Sequence, residues 1–276
     1  MPDIPDLQFH DGHSIPQLGF GIWQVPPEIA ADAVQSALET GYRLIDGAYL
    51  YLNEAGLGEG LRRSGVPRED VFITTKVWNN EQGRDKARAS VERSLKTIGV
   101  DQLDLVLIHW PVPSQDLYVE TWRAFVEMRD EGLMRSIGVS NFNVDHLERI
   151  IGETGEVPVL NQIELNPELQ QPEMRAVNAS HNIVTQAWTP LGNGRSFDAD
   201  AIRAVSERTG KSPAQVIIRW HLQLGNAVIP RSVKPARQAE NLDVFDFTIT
   251  DAEMADISRL DVGLRTGPDP SVFKEM

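Results

Sequence analysis

Short apolar runs of strand length alternate along the chain with amphipathic stretches of helical length. The strand candidates are "LGFGIW" (18–23), "YRLID" (42–46), "VFITTK" (71–76), "LDLVLIHW" (103–110), "RSIGVSN" (135–141), "VLNQIEL" (159–165), "NIVTQAW" (182–188) and "NAVIP" (226–230). These runs are too continuously apolar for a sheet with one wet face, so they predict parallel strands covered on both sides. Between them lie segments such as "PEIAADAVQSALETG" and "DKARASVERSLKTIG". Each closes on a glycine, the residue that best takes the left-handed conformation just past a helix. Eight regularly spaced units of this kind predict a closed (β/α)8 barrel, a TIM barrel, rather than an open sheet. Ahead of the first strand, "LQFHDGHSIP" sets an Asp-Gly turn between alternating residues and predicts a β-hairpin. No linker or low-complexity tract interrupts the pattern, so residues 1–276 are expected to form a single domain.

Bulk properties narrow the picture. A length of 276 residues suits one such barrel, typically about 250 residues. The chain has no cysteine, which removes disulfides, thiolate zinc sites and cysteine nucleophiles. The only close histidine pair, His10 and His13, falls in the hairpin turn, so no metal centre is expected. Net charge is −14, from 26 basic against 40 acidic side chains, a field that repels nucleic acid and anionic membrane. An anionic ligand would therefore need a local cluster of positive charge. No apolar run approaches the roughly 20 residues that span a bilayer. The start, "MPDIPDLQFHDG", lacks the basic and apolar regions of a secretory signal. A cytoplasmic, monomeric protein is expected.

Barrel active sites lie at the C-terminal ends of the strands. Strands two, three and four end in Asp46, Lys76 and His109. Taken singly these would be a turn residue, a solvated cation and a core histidine; taken together they converge on one rim, with Lys76 as the counter-ion of Asp46. Tyr49 and Tyr51 follow Asp46 within five residues, and a phenol beside such a network can donate a proton. Bringing a phenol from its ordinary pKa of about 10 to neutrality takes roughly three units, or about 4 kcal/mol. One ammonium roughly 4 Å away, at an effective dielectric near 20, supplies about that much. The expectation is that Lys76 lowers the pKa of the tyrosine while Asp46 keeps the lysine charged.

Six motifs, "GYRLIDGAYLYLNEAGLG", "ITTKVWN", "LDLVLIHWP", "RSIGVSNF", "NQIELNP" and "IPRSVKPARQAEN", together resemble the aldo-keto reductases. They occur in the family's order over nearly the whole chain. The "SIPQLGFG" start and the short length are most similar to the bacterial 2,5-diketo-D-gluconate reductases. The resemblance implies a barrel plugged at its bottom by the hairpin. It also implies reduction of aldehydes and ketones with NADPH, diketo sugar acids being among the candidate substrates. The alternative is a redox sensor or auxiliary subunit that keeps the barrel and cofactor with little turnover.

The family motif places its catalytic tyrosine five residues after the aspartate and two before Asn-Glu, which here is Tyr51, partnered by Asp46, Lys76 and His109. Tyr49 is then a packing residue or a pocket wall. Gly47 replaces the family's usual threonine and implies a looser Tyr51 loop. By the same resemblance, Ser140, Asn141 and Gln162 hold the nicotinamide carboxamide and Trp188 stacks on the ring. Pro190, Leu191, Gly192, Asn193 and Gly194, from "TPLGNG", follow the pyrophosphate. No G-x-G-x-x-G follows a strand, so a Rossmann site is not expected. Arg231, Lys234 and Arg237 cluster just past strand eight. The resemblance assigns Arg231, Ser232, Val233, Arg237, Glu240 and Asn241 to the far end of the cofactor, with Arg231 in place of the usual lysine. Trp23, Trp78 and Trp110 follow strands one, three and four, and with Tyr49 and His109 they would wall a pocket for a small carbonyl compound. Asn166 stands where relatives often carry histidine.

Overall fold

The structure, a computed structural model, describes residues 4–275. An antiparallel hairpin comes first, β1 (Asp6–Gln8) paired with β2 (Ser14–Pro16) in the register Leu7 opposite Ile15. Eight parallel strands follow in chain order: β3 (Phe20–Gly21), β4 (Leu44–Asp46), β5 (Phe72–Val77), β6 (Leu103–Ile108), β7 (Met134–Ser140), β8 (Leu160–Glu164), β9 (Val184–Trp188) and β10 (Ala227–Val228). The sheet closes on itself: the Gly19 N–H donates to Val228 O at 2.8 Å, and the Val228 N–H donates to Gln17 O at 2.8 Å. All six residues of β6 are buried, as a strand covered on both faces requires.

Helices pack outside the strands. They are α1 (Pro27–Thr40), α2 (Glu54–Ser64), α3 (Arg84–Ile98), α4 (Tyr118–Asp130), α5 (Val144–Thr154), α6 (Pro172–Ser180), α7 (Asp200–Thr209), α8 (Pro213–Gln223), α9 (Pro235–Leu242) and α10 (Asp251–Ser258). α1 starts with proline in its first turn, where the missing N–H costs nothing, and stops at Gly41. α3 ends on Gly99 in the left-handed conformation. The expected helices are therefore where the pattern put them. None of the described helices is long and apolar enough to cross a membrane.

Inside the barrel, Leu44, Leu105, Leu107 and Leu160 form one cluster with Ile229 and with Phe9 and Ile15 of the hairpin segment. The hairpin is thus a plug whose apolar side chains complete the inner core. Close helix packing fixes the site above. A Cβ on Gly58 of α2 would lie 1.9 Å from Ile98 O at the end of α3, so only glycine permits that approach. The Asn53 side chain then ties the start of α2 across the rim, donating to Ile22 O at 2.8 Å and Val25 O at 3.0 Å.

Candidate active site

Asp46 closes β4, Lys76 is the penultimate residue of β5, and His109 follows β6 with its N–H on Val77 O at 3.1 Å. The three strand ends converge as expected. Lys76 is fully buried, and its Nζ donates to Asp46 Oδ2 at 2.7 Å and to Gly47 O at 2.8 Å. The hydroxyl of Tyr51 lies 3.4 Å from the same ammonium. Tyr51 sits in a single 3-10 turn, Tyr49–Tyr51, that ends at Leu52 in the left-handed conformation. Its ring meets His109 edge-on at 5.8 Å, and His109 meets Trp78 edge-on at 4.9 Å.

Gly47, where a looser loop is expected, is tethered on both sides. Its N–H donates to Thr74 O at 2.9 Å while its carbonyl accepts from Lys76, so the backbone is held from both sides. A Cβ at this position would approach Leu57 to 3.2 Å, closer than usual contact.

The electrostatics differ from the expectation in one respect. Burial, reinforced by the charge of Asp46, raises the pKa of Tyr51 well above the ordinary phenol value. Tyr51 is partly exposed by area, but its hydroxyl is the interior end, and desolvation outweighs the nearby ammonium. Tyr51 therefore holds its proton in the resting protein. Burial also lowers the pKa of Lys76 against the opposing pull of Asp46, and lowers that of His109 well below the usual histidine value, with Lys76 adding to the effect. His109 is thus a neutral imidazole, and its buried Nδ1 has no hydrogen-bond partner.

The residues assigned to the nicotinamide end form one network joined to this group. Gln162 donates to Asp46 Oδ1 at 2.8 Å and to Gln186 Oε1 at 2.7 Å. Ser140 Oγ donates to Gln162 O at 3.0 Å; Asn141 Nδ2 donates to Ser140 Oγ and His109 O, both at 3.0 Å. Trp188 Nε1 donates to Asn141 Oδ1 at 2.8 Å, which fixes the indole beside the amides. Amide, hydroxyl and indole groups, each able to donate or accept, thus gather at one spot beside Asp46. Past Trp188 the chain turns tightly, with Gly192, Asn193 and Gly194 all at positive φ (54°, 55° and 80°), which accounts for the Gly-Asn-Gly sequence.

Arg231, Lys234 and Arg237 are exposed, and none takes part in an ion pair among the described residues. Three unpaired cations at the start of α9 in a chain of net charge −14 suit an anionic group. Arg231 reaches across to the loop after β3, its Nη1 donating to Trp23 O at 3.3 Å and Gln24 Oε1 at 3.3 Å. Ser232 O accepts from buried Gln238 at 2.9 Å, while Asn241 is buried, Glu240 half-buried and Val233 exposed.

Among the pocket candidates, Trp78 and Trp110 are buried together with Val112, and Trp23 is exposed at the mouth. The Tyr49 ring carries the Arg93 guanidinium of α3 at 3.8 Å from its centroid. Sequence reasoning passed over Gln186, which accepts from Gln162, Gln238, which donates to Ser232 O, and Phe273, which packs on Trp110 with ring centroids 4.4 Å apart.

Comparison with known proteins gives the same outline. The aldo/keto reductase family model matches residues 17–262. An aldo-keto reductase of Mycolicibacterium smegmatis is 52% identical over 269 residues, covering 98% of each chain. Methylglyoxal reductase DkgA of Escherichia coli is 49% identical over 269 residues, covering 97% of each. A crystal structure of a Gox0644 variant in complex with NADPH superposes with a TM-score of 0.96 at 47% identity, over 99% of this chain and 100% of that one. A plugged, closed barrel carrying Asp46, Tyr51, Lys76 and His109 on one rim, within a family match spanning most of the sequence, places the chain in the aldo/keto reductase family.

Proposed function

We propose that the protein reduces small aldehydes and ketones to alcohols with NADPH, and that Tyr51 supplies the proton. One observation carries this reading: the Tyr51 hydroxyl stands 3.4 Å from a buried, ion-paired ammonium, and its ring meets His109 edge-on. NADPH, when bound, supplies the hydride. Ser140, Asn141 and Gln162 would hold its carboxamide, Trp188 would back its ring, and residues 190–194 would run along its pyrophosphate; the network that joins Ser140, Asn141, Gln162 and Trp188 supports this. Arg231 and Arg237 would take the 2′-phosphate, with Ser232, Val233, Glu240 and Asn241 lining the adenosine end.

His109 donates a hydrogen bond to the carbonyl oxygen and holds it near Tyr51. As the carbonyl carbon gains hydride, its oxygen becomes basic and takes the Tyr51 proton. The phenolate left behind faces Lys76, and that attraction makes a strongly held proton transferable at the moment of reaction. Trp23, Trp78 and Trp110 wall an apolar pocket, and the name of the Escherichia coli relative supports 2-oxoaldehydes as a substrate class.

The test is NADPH oxidation by the purified protein with methylglyoxal and a panel of other aldehydes, read as loss of reduced-nicotinamide absorbance. Tight NADPH binding with no carbonyl-dependent oxidation would favour a cofactor-binding sensor and sink the reductase reading.

A further inference from the structure

The C-terminal tail crosses the mouth of the barrel, and the residue that holds it is buried at the end of β8. Glu164 has no exposed surface. Its Oε1 accepts from the Thr266 N–H at 2.8 Å and from the Thr266 hydroxyl. Its Oε2 accepts from the Gly267 N–H at 3.0 Å, with the Arg265 guanidinium 3.8 Å away. A carboxylate in such a place needs several donors, and here the tail backbone supplies them.

The clasped turn fixes contacts in two directions. Gly267 sits so close to Trp188 that a Cβ there would lie 2.4 Å from the indole. Farther along, Phe273 packs on Trp110 at 4.4 Å and on Trp78 at 6.3 Å, and Asn79 donates to Glu275 O at 2.6 Å. Trp78 in turn packs on His109. One buried carboxylate thus anchors a segment that touches both the indole beside the amide network and the tryptophans beside the histidine.

We propose that Glu164 is a positioning residue that sets substrate specificity: by clasping residues 265–267 it seats Phe273 as a wall of the carbonyl pocket and Gly267 as the backing of Trp188. The proposal rests on the reductase reading above. Glu164 makes no hydrogen bond to Asp46, Tyr51, Lys76 or His109, so its effect passes through the tail. Replacing its carboxylate by an amide presents an NH2 group where N–H groups already point, and so releases the turn at almost constant side-chain volume.

The experiment compares wild type, Glu164→Gln and Thr266→Ala in two readouts. In kinetics, Glu164→Gln should raise KM for methylglyoxal about fivefold with kcat nearly unchanged, and lower the preference for methylglyoxal over 2-naphthaldehyde by about fivefold. In limited trypsin digestion followed by mass spectrometry, the peptide beginning at Thr266 should be released about tenfold faster. Thr266→Ala removes one clasp donor from outside the core and should move both readouts the same way by about twofold, which keeps the test decisive if Glu164→Gln does not fold. Unchanged release, or faster release with unchanged substrate preference, overturns the proposal. A wild-type protein that reduces no carbonyl overturns the reductase reading and the specificity role together, while the digestion still measures the clasp.

Discussion

Asp46 is shared between two duties: one oxygen accepts from Lys76 at 2.7 Å and the other from Gln162 at 2.8 Å. The carboxylate that charges the proton-donor side also anchors the amide assigned to the nicotinamide side. Asp46→Asn should therefore leave a buried, uncompensated ammonium and cost about 3–5 kcal/mol of stability, along with most of kcat. The double variant Asp46→Asn, Lys76→Met should recover much of the stability and none of the rate. Urea unfolding of the single and double variants checks this, and additive losses of stability would mean that the pair is not coupled.

Tyr51→Phe should lose about 10²–10⁴ in kcat while NADPH still binds, because only the proton donor is removed. Tyr49→Phe should keep its activity, since the Arg93 contact is with the ring and not the hydroxyl. The raised pKa of Tyr51 adds a pH signature. An acid that keeps its proton beyond the ordinary phenol range predicts a reduction rate with no falling limb from this group below about pH 10. A tyrosine-dependent decline near neutrality would restore the original expectation that Lys76 lowers this pKa.

Arg231→Ala should weaken NADPH by about 10- to 150-fold, the worth of one charge-assisted hydrogen bond, and leave NADH almost unchanged. The preference should shrink as salt rises. Titration of both cofactors by tryptophan fluorescence reads the result, and equal weakening of the two would remove Arg231 from the 2′-phosphate.

Acid should destabilise the fold through its buried histidines. His221 donates from Nε2 to Pro190 O at 3.1 Å, Asn226 faces its Nδ1 at 3.4 Å, and burial pushes its pKa down to about 3. His109 is shifted in the same direction. Both pKa values are depressed on folding, so the unfolded chain binds more protons below its ordinary histidine value of about 6.5. Stability is then full above that pH and falls as pH drops toward about 3 for His221, at up to about 1.4 kcal/mol per pH unit per histidine. Urea melts across this range should show the slope, and His221→Gln should reduce it. An unchanged slope would return His221 to an ordinary surface-like titration.

The sheet and its order were legible because eight apolar runs each demand cover on both faces. The pairing of Asp46 with Lys76 was legible for a related reason: a strand-end charge in the interior requires a partner. The direction of the Tyr51 shift was not, because desolvation depends on how deeply the fold sinks the hydroxyl and not on which charge is near in sequence. The packing of Tyr49 involves Arg93 on α3, with α2 and β5 lying between them in the chain. Glu164 obeys the same strand-end rule as Asp46 and could have been flagged by it. Its partners could not, since Thr266 lies 102 residues downstream in a segment without periodicity.

The barrel closes where its ladder is shortest. β3 and β10 have two residues each and meet through Leu18 and Val228, and directly above that seam stand Trp23 on one side and Arg231 on the other. Parting the wall there would open a single bridged pair and the hydrogen bonds of Gly19, Gly21 and Val228, at the edge beside which the charged end of the proposed cofactor would lie. Amide hydrogen exchange should register this as faster exchange at Gly19 and Val228 than at Leu105, with slowing of the seam amides when NADPH is added; equal rates along the whole sheet would mean that the wall opens only as a unit.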